Sequence, residues 1–410
     1  MANRVVVTGT GSITPLGLNT NESWAAIKDG RLGISQITSF NVDQSPIKIA
    51  AEVMGFDPAE MLGKKDARRL DRFSQFACIS ALEALEQSGV DLASEDATRF
   101  SSIIGSGVGG IMTLSEQYDV LAEKGATKVS PFLIPMMLPD MASGNVSMKL
   151  GAKGVNFSPV TACATGSDSI GMAYNLIKNG DIDMAIAGGA EAAICPIAVA
   201  GFFACRALST NPDPKTACRP FDKDRDGFIL GEGAGLLFLE SFQHADARNA
   251  NILAEVIGYG ATSDAFHITQ PSPGGEGAAR AMNIALSDAE ISYEAVDYVN
   301  AHGTSTPLND KFETLSMKSV FNDYANKIPI SSTKSMTGHL LGAAGGVEAV
   351  LCVQSISDGV VPPTINYSTP DEDCDLDYIP NEARSLDLEI AMSNNLGFGG
   401  HNASLIFKKI

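Results

Sequence analysis

Basic residues, paired cysteines and long apolar runs are all scarce in this chain. Its 29 lysines and arginines face 48 acidic residues, for a net charge of −19. Such a field repels phosphates and anionic headgroups, which excludes bulk binding to nucleic acid or to a membrane surface. The seven cysteines are odd in number and contain no CxxC pair, so they suggest neither a disulfide framework nor a zinc site. Free thiols imply a reducing, cytoplasmic setting. Charged residues make up only 19% of the chain against 44% hydrophobic, the balance of a compact globular protein rather than a disordered one. The least charged stretch, Met184 to Cys205, still contains Glu191 and Pro196 and is rich in alanine and glycine. It reads as a buried strand followed by a loop, and not as a membrane span. Val5-Val6-Val7 gives way to glycine too soon for a secretion signal.

What the chain does have is a repeated pattern of short apolar runs ending in glycine turns. Its 410 residues suffice for one large or two medium domains. Runs at Arg4–Thr8 and Phe100–Ile104, the segment around Cys163, and the strands through Glu240 make a first half. Leu253–Asp264, Val296–Thr306, Ile328–Ile356 and Ile390–Phe407 weakly echo it in a second. The division falls near residue 250, giving halves 1–250 and 251–410. The expected class is α/β, with a mixed sheet covered on both faces in each half. Asn21–Asp29 reads as a helix, with Asn19, Thr20 or Asn21 as its candidate cap. Lys64, Lys65, Arg68, Arg69 and Arg72 read as the basic opening of a helix that turns apolar and closes at Gly89. Ser130–Met141 is apolar and broken by prolines, the composition of a segment lining a pocket or a subunit interface.

Two motifs mislead. Gly105-Ser106-Gly107-Val108-Gly109-Gly110 matches G-x-G-x-x-G but lies far from the N-terminal position of a dinucleotide fold, so it reads as a tight turn beside a cavity. Asp222–Gly227 resembles the start of a calcium loop, yet Gly233 stands where the bidentate glutamate belongs.

The chemistry concentrates at Cys163. Val155, Phe157 and Val160 read as a short buried strand, the small residues Thr161–Ser167 follow, and Ile170, Ala173 and Ile177 continue at helical spacing. A cysteine where a strand becomes a helix meets free N–H groups and the positive dipole end, which favour thiolate. Cys163 is therefore a candidate nucleophile. Only five histidines exist. His302 ends an apolar run and enters a loop of small hydroxyl residues. His339 precedes a helix expected over Leu340–Val353, whose first turns carry Gly342, Gly345 and Gly346. Glycine there lowers helix stability and makes sense if another helix, that of Cys163, packs closely against it. Neither histidine has a carboxylate at HExxH spacing, so a zinc site of that kind is not indicated.

Four strings, Thr161-Ala162-Cys163, Asn300–Thr306, Lys334–His339 and Asn395–Gly400, together resemble the β-ketoacyl-[acyl-carrier-protein] synthases, most of all the elongating condensing enzymes called synthase II. The resemblance extends from Arg4 to Phe407. It implies a thiolase-like fold of two similar mixed-sheet halves in an αβαβα arrangement, usually homodimeric. It implies a decarboxylative Claisen condensation of an acyl thioester with malonyl-[acyl-carrier-protein] through an acyl-Cys163 intermediate. His302 and His339 would donate N–H groups to the enolate oxygen. The N–H groups of Cys163 and Phe398 would hold the second oxyanion, with Phe398 a gate on Gly397, Gly399 and Gly400. Lys334 would form a buried ion pair with Glu348 rather than act as a base. Thr304 and Thr306 would bind the pantetheine arm. Val108, Phe132, Ile134, Ala193 and Phe202 would line the acyl tunnel. Lys64, Lys65, Arg68, Arg69 and Arg206 would dock the acidic carrier. Asn300, Glu348, Ser393 and Asn394 match positions where members can hold a structural monovalent cation, and no other cofactor is implied.

Two departures stand out: Met136–Met141 is an unexpected interface sequence, and His401 follows the glycine pair where members often carry threonine. The rival readings are a synthase I-type or polyketide ketosynthase with the same site, and a cysteine hydrolase. A hydrolase would need an Asn or Asp to orient its histidine, and would need no second histidine.

Overall fold

The computed structural model describes residues 2–410. Ten strands form one mixed sheet: β1 (Val5–Ile13), β2 (Phe100–Gly105), β3 (Asn156–Phe157), β4 (Met184–Glu191), β5 (Gly233–Ser241), β6 (Ala254–Ser263), β7 (Tyr298–Asn300), β8 (Ile330–Ser331), β9 (Ile390–Gly397) and β10 (His401–Lys408). Their order is β8-β7-β9-β10-β6-β1-β5-β4-β2-β3. Read outward from the central seam, the first half runs first, fifth, fourth, second, third strand, and the second half runs the same way. The internal echo is thus a repeated topology. The halves join where Val5–Val7 pair antiparallel with Ala254–Val256.

Five helices complete the layers: α1 (Arg72–Ser88), α2 (Thr165–Lys178), α3 (Glu276–Asp288), α4 (Pro307–Phe321) and α5 (Ala344–Asp358). Helix α1 covers β1, β5 and β4 from outside, and α3 covers β6 and β10. Between the sheet halves lie α2 and α5, each touching strands of both. The layering is αβαβα. Strand alternation produces it, because both faces of the inner strands, such as β1, β4 and β5, are buried. Leu237 and Leu239 of β5 point into the central core with α2 and α5, while Leu236 and Phe238 point into the outer core with α1. In β10, Leu405 and Phe407 point inward, and Ile406 points outward to α3.

Glycine sets how closely the central helices approach. A Cβ on Gly166 of α2 would lie 2.4 Å from the Gly346 nitrogen of α5, and one on Gly345 would lie 2.4 Å from Ser167 Oγ. The expected close crossing is present.

Several local expectations change. Val155, Phe157 and Val160 are exposed, and only Asn156–Phe157 pairs, at the sheet edge. Their apolar character therefore faces outward. The basic cluster does not open α1: Lys64–Ala67 is a separate turn of helix, and α1 starts at Arg72 because the Asp71 carboxylate caps the Phe73 N–H. Gly89 ends α1 in the left-handed region as expected. Met184–Cys205 is a strand followed by a helix, Pro196–Ala204, with proline at its first turn where no N–H is needed. Leu133–Met137 forms a short helix inside the proline-broken segment. α5 begins later than expected, after the 3₁₀ turn Leu341–Ala343. The helix near residue 20 spans Thr20–Lys28 and is capped by Asn19.

Gly166→Ala should overpack the α2–α5 crossing against backbone that cannot yield, costing about 1–3 kcal/mol or more. Thermal denaturation should show a lowered Tm, whereas an unchanged Tm would mean that the helices can separate freely.

Candidate active site

The turn carrying Cys163 is built from the crossing outward. Ala162–Ala164 form a 3₁₀ turn ahead of α2, and Ala162 has φ +50°. The pseudo-equivalent turn before α5 repeats this, with Leu341 at φ +49°. Gly397 lies against this turn, where a Cβ would stand 2.6 Å from the Thr161 carbonyl oxygen.

His339 arrives from the second half. Its N–H donates to the Ile229 carbonyl at 2.7 Å, and its own carbonyl accepts from Gly231 at 2.9 Å. Its Nε2 lies 3.0 Å from Cys163 Sγ. His302 follows β7. There Glu313 of α4 accepts the His302 and Gly303 N–H groups, each at 2.7 Å. The two imidazoles meet edge to face, with centroids 5.3 Å apart and planes at 87°. The sulfur and ring nitrogens of Cys163, His302 and His339 lie within 4.8 Å of one another, and all three residues are buried.

Electrostatics follow from that burial. Both histidines are held well below the ordinary imidazole value, first by desolvation and then by the nearby Lys334 ammonium. Both rings are uncharged. Burial also pushes the Cys163 thiol up to about 12, against the opposing pull of Lys334 and of the Phe398 N–H. The expectation of a resting thiolate is corrected here. Desolvation outweighs the helix terminus, and the free enzyme holds a thiol beside a neutral imidazole. Lys334 pairs with Glu348 at 2.5 Å, both buried, and Asn395 donates to the other Glu348 oxygen at 2.7 Å.

A cavity of about 400 Å³ opens onto Cys163, His302 and His339, and Thr304, Thr306, Phe202, Arg206 and Phe398 also line it. The Thr304 and Thr306 hydroxyls are 3.0 Å apart. Phe398 sits half-buried on the β9–β10 turn, where Gly399 and Gly400 adopt φ of +88° and +78°. The Gly399 N–H donates to the Ile268 carbonyl, and Gly400 accepts from Asp264. His401 opens β10 opposite Gly397.

Val108, Ala193 and Phe202 belong to the apolar cluster that contains Cys163. Phe132 and Ile134 do not line the cavity; they lie exposed, Phe132 beneath the Arg69 guanidinium at 5.2 Å. Lys64, Lys65, Arg68, Arg69 and Arg206 are exposed. The G-x-G-x-x-G turn directs its N–H groups at the Glu191 carboxylate, and Asp222 accepts backbone N–H groups of Ser368 and Thr369. Sequence reasoning missed the supporting roles of Glu191 and Glu313. Glu191 had a signal, a lone acid in an otherwise uncharged stretch.

A buried thiol against two neutral imidazoles, at the base of an open cavity in a doubled αβαβα fold, defines a cysteine-dependent acyl-transfer enzyme. Residues 2–245 match the family described as Beta-ketoacyl synthase, N-terminal domain, and residues 253–368 match its C-terminal domain. The chain belongs to the β-ketoacyl synthase family. It is 52% identical over 406 residues to a 3-oxoacyl-[acyl-carrier-protein] synthase 2 of Staphylococcus aureus, covering 99% of this chain and 98% of that protein. It is 49% identical to the Synechocystis protein of the same name, with 99% and 98% covered. A β-ketoacyl synthase structure from Burkholderia phymatum superposes over the full length of both chains at TM-score 0.92 with 39% identity. A type II polyketide ketosynthase, solved with its acyl-carrier protein and bound to the hexaketide, superposes as completely at the same TM-score with 34% identity.

Below a thiol value of about 12 the thiolate fraction rises about tenfold per pH unit. Iodoacetamide alkylation of Cys163 in the free enzyme should therefore climb between pH 6 and 9 without a plateau. A plateau below pH 7 would contradict the buried-thiol assignment.

Proposed function

We propose that this chain is a 3-oxoacyl-[acyl-carrier-protein] synthase of the elongating type, joining an acyl thioester to malonyl-[acyl-carrier-protein] with loss of CO2. The observation that carries this is the Cys163–His339–His302 cluster itself: one nucleophile with two uncharged imidazoles, each able to hold an N–H toward a developing oxyanion. In the first half-reaction Cys163 attacks the acyl thioester. Its proton passes to the departing pantetheine sulfur, and His339 Nε2, 3.0 Å from Sγ, is placed to carry it across. The N–H of Phe398, which faces the sulfur, would stabilise the tetrahedral oxyanion. In the second, the malonyl carbon–carboxylate bond breaks and its electron pair forms an enolate whose oxygen the two imidazoles stabilise. The carbanion then attacks acyl-Cys163, the new carbon–carbon bond forms, and the cysteine sulfur leaves and regains a proton.

Hydrolysis is disfavoured by the same geometry. A Cys–His hydrolase orients its base through Nδ1, and among the described residues no protein group bonds Nδ1 of either His339 or His302. Identities of 49–52% to the synthase 2 relatives, against 34% to the type II polyketide ketosynthase, support fatty-acyl over polyketide chemistry.

Finer assignments follow. Lys64, Lys65, Arg68 and Arg69 crowd one exposed helical turn and Arg206 sits at the cavity mouth, which supports docking of an acidic carrier protein against the chain's own negative field. Thr304 and Thr306 would bind its pantetheine arm. The edge strand β3 ends the sheet, and Val155, Phe157 and Val160 on and around it are exposed. Exposed Met148 lies on the helix Met141–Leu150 that packs against it, a surface suited to a second copy and hence to a homodimer. Phe132 and Ile134 would then face the acyl chain only across that interface. Free cysteines fit a cytoplasmic location. Ser393 and Asn300 lie in register across β9 and β7, and among the described residues neither side chain has a hydrogen-bond partner, which supports their oxygens as ligands for a small monovalent cation. Glu348 and Asn394 are already engaged, by Lys334 and Asn395 and by Ser404. A cation there would add rigidity beside His302.

Incubation with acyl- and malonyl-carrier protein should release CO2 and a β-ketoacyl product two carbons longer than the acyl donor. Cys163→Ala should abolish acyl-enzyme and product, and His302→Ala or His339→Ala should lower turnover about 10²–10³-fold. Free fatty acid as the sole product would overturn the assignment. Analytical ultracentrifugation should report about twice the 42.9 kDa chain mass, and a monomer at micromolar concentration would contradict the dimer.

A further inference from the structure

Glu191 closes β4, is fully buried and, among the described residues, has no cationic partner. One carboxylate oxygen accepts from Ser106 Oγ at 2.7 Å and from the Val108 N–H at 3.2 Å. The other accepts from the Gly107 N–H at 2.8 Å and from the Gly342 N–H at 3.0 Å. Four donors from two segments 235 residues apart, Gly107 and Gly342, thus converge on one side chain. The segments are pressed together around it: a Cβ on Gly342 would stand 2.3 Å from the Gly107 nitrogen and 2.8 Å from the carboxylate. A Cβ on Gly107 would meet the same oxygen at 2.8 Å and the Ala162 carbonyl at 3.4 Å. The turn before Cys163 therefore touches the same hub.

What these turns present is specific. Val108 from one and Leu341 from the other pack in the apolar cluster that holds Cys163. Leu341 also lines the cavity. The histidines stand on different supports, His302 on Glu313 and His339 on Ile229 and Gly231. Glu191 thus holds the apolar side of the sulfur without holding the imidazole side.

We propose that Glu191 is a positioning residue for the acyl chain: by clamping the Ser106–Val108 turn to the Leu341–Gly342 turn, it fixes the channel wall beside Cys163 and so sets acyl-chain preference. The proposal rests on the condensing-enzyme reading. A carboxylate suits the task because it accepts at both oxygens and donates nothing. Glutamine can keep one oxygen only. The Ser106 hydroxyl can turn to accept from the amide NH2, whereas the Val108 N–H cannot, so Glu191→Gln releases the Val108 backbone while keeping the Gly107–Gly342 clamp.

The test measures Cys163 acylation by mass spectrometry across saturated acyl-carrier proteins of short to long chain, beside CO2 release from malonyl-carrier protein alone. Glu191→Gln should change the long-to-short ratio of kcat/KM about tenfold, the change lying mainly in KM, with malonyl decarboxylation much less affected. Ser106→Ala, which removes one donor from the same oxygen, should shift the ratio in the same direction by less, and it decides the matter if Glu191→Gln fails to fold. An unchanged ratio, or a parallel fall in all activities, would overturn the proposal in favour of a role in folding alone. Wild-type enzyme that forms no acyl-Cys163 with any chain would instead overturn the condensing-enzyme reading, and this inference with it.

Discussion

Everything at this site depends on two central helices approaching closer than any side chain at the crossing would allow. Gly166 on α2 faces Gly346 on α5, and Ser167 faces Gly345. Each helix is entered through a 3₁₀ turn with one residue at positive φ, Ala162 in the first half and Leu341 in the second. The two halves of the chain thus deliver equivalent turns to one place. The first carries the nucleophile, and the second follows His339. A larger residue at the crossing would move the sulfur away from the ring that lies 3.0 Å from it.

Burial then does the electrostatic work. Because the pocket is desolvated, both imidazoles stay neutral and the sulfur stays protonated at rest. A neutral imidazole offers an N–H to an oxyanion without holding a carboxylate in place, which suits a site that must let CO2 leave. The Lys334 ammonium, paired with Glu348, reinforces this by disfavouring positive charge on either ring. Charge is thus present near the reaction but locked in an ion pair, and the groups that face the substrate are uncharged. Backbone-gripping carboxylates finish the scaffold, Glu313 under His302 and Glu191 under Val108 and Gly342.

Much of this was legible in the chain. The strand–glycine-turn units, the small residues around Cys163, the loaded settings of His302 and His339, and the glycines that require a close helix partner all carry local signals. The Lys334–Glu348 pair was legible only through family resemblance. Other features have no local signature. Val155, Phe157 and Val160 read as a buried strand because apolar character does not tell a core from an exposed edge. The basic cluster read as the start of α1 because the capping role of Asp71 competes with a plausible continuous helix. The thiolate expectation failed because a helix terminus can be read from sequence and total desolvation cannot. Glu313 escaped because its partners are backbone N–H groups, which no side-chain motif encodes, and Glu191, though marked as a lone acid in an uncharged stretch, because its donors lie on segments remote in sequence.

Protonation of the two rings is the claim on which the chemistry turns, and five histidines are few enough to resolve individually. In ¹⁵N-histidine-labelled enzyme, long-range ¹H–¹⁵N spectra across a pH titration report the charge of each imidazole. The account requires the His302 and His339 signals, assigned by substitution, to remain those of neutral rings as the pH falls through and below the ordinary imidazole range. Titration of either ring near the ordinary value of about 6.5 would contradict it.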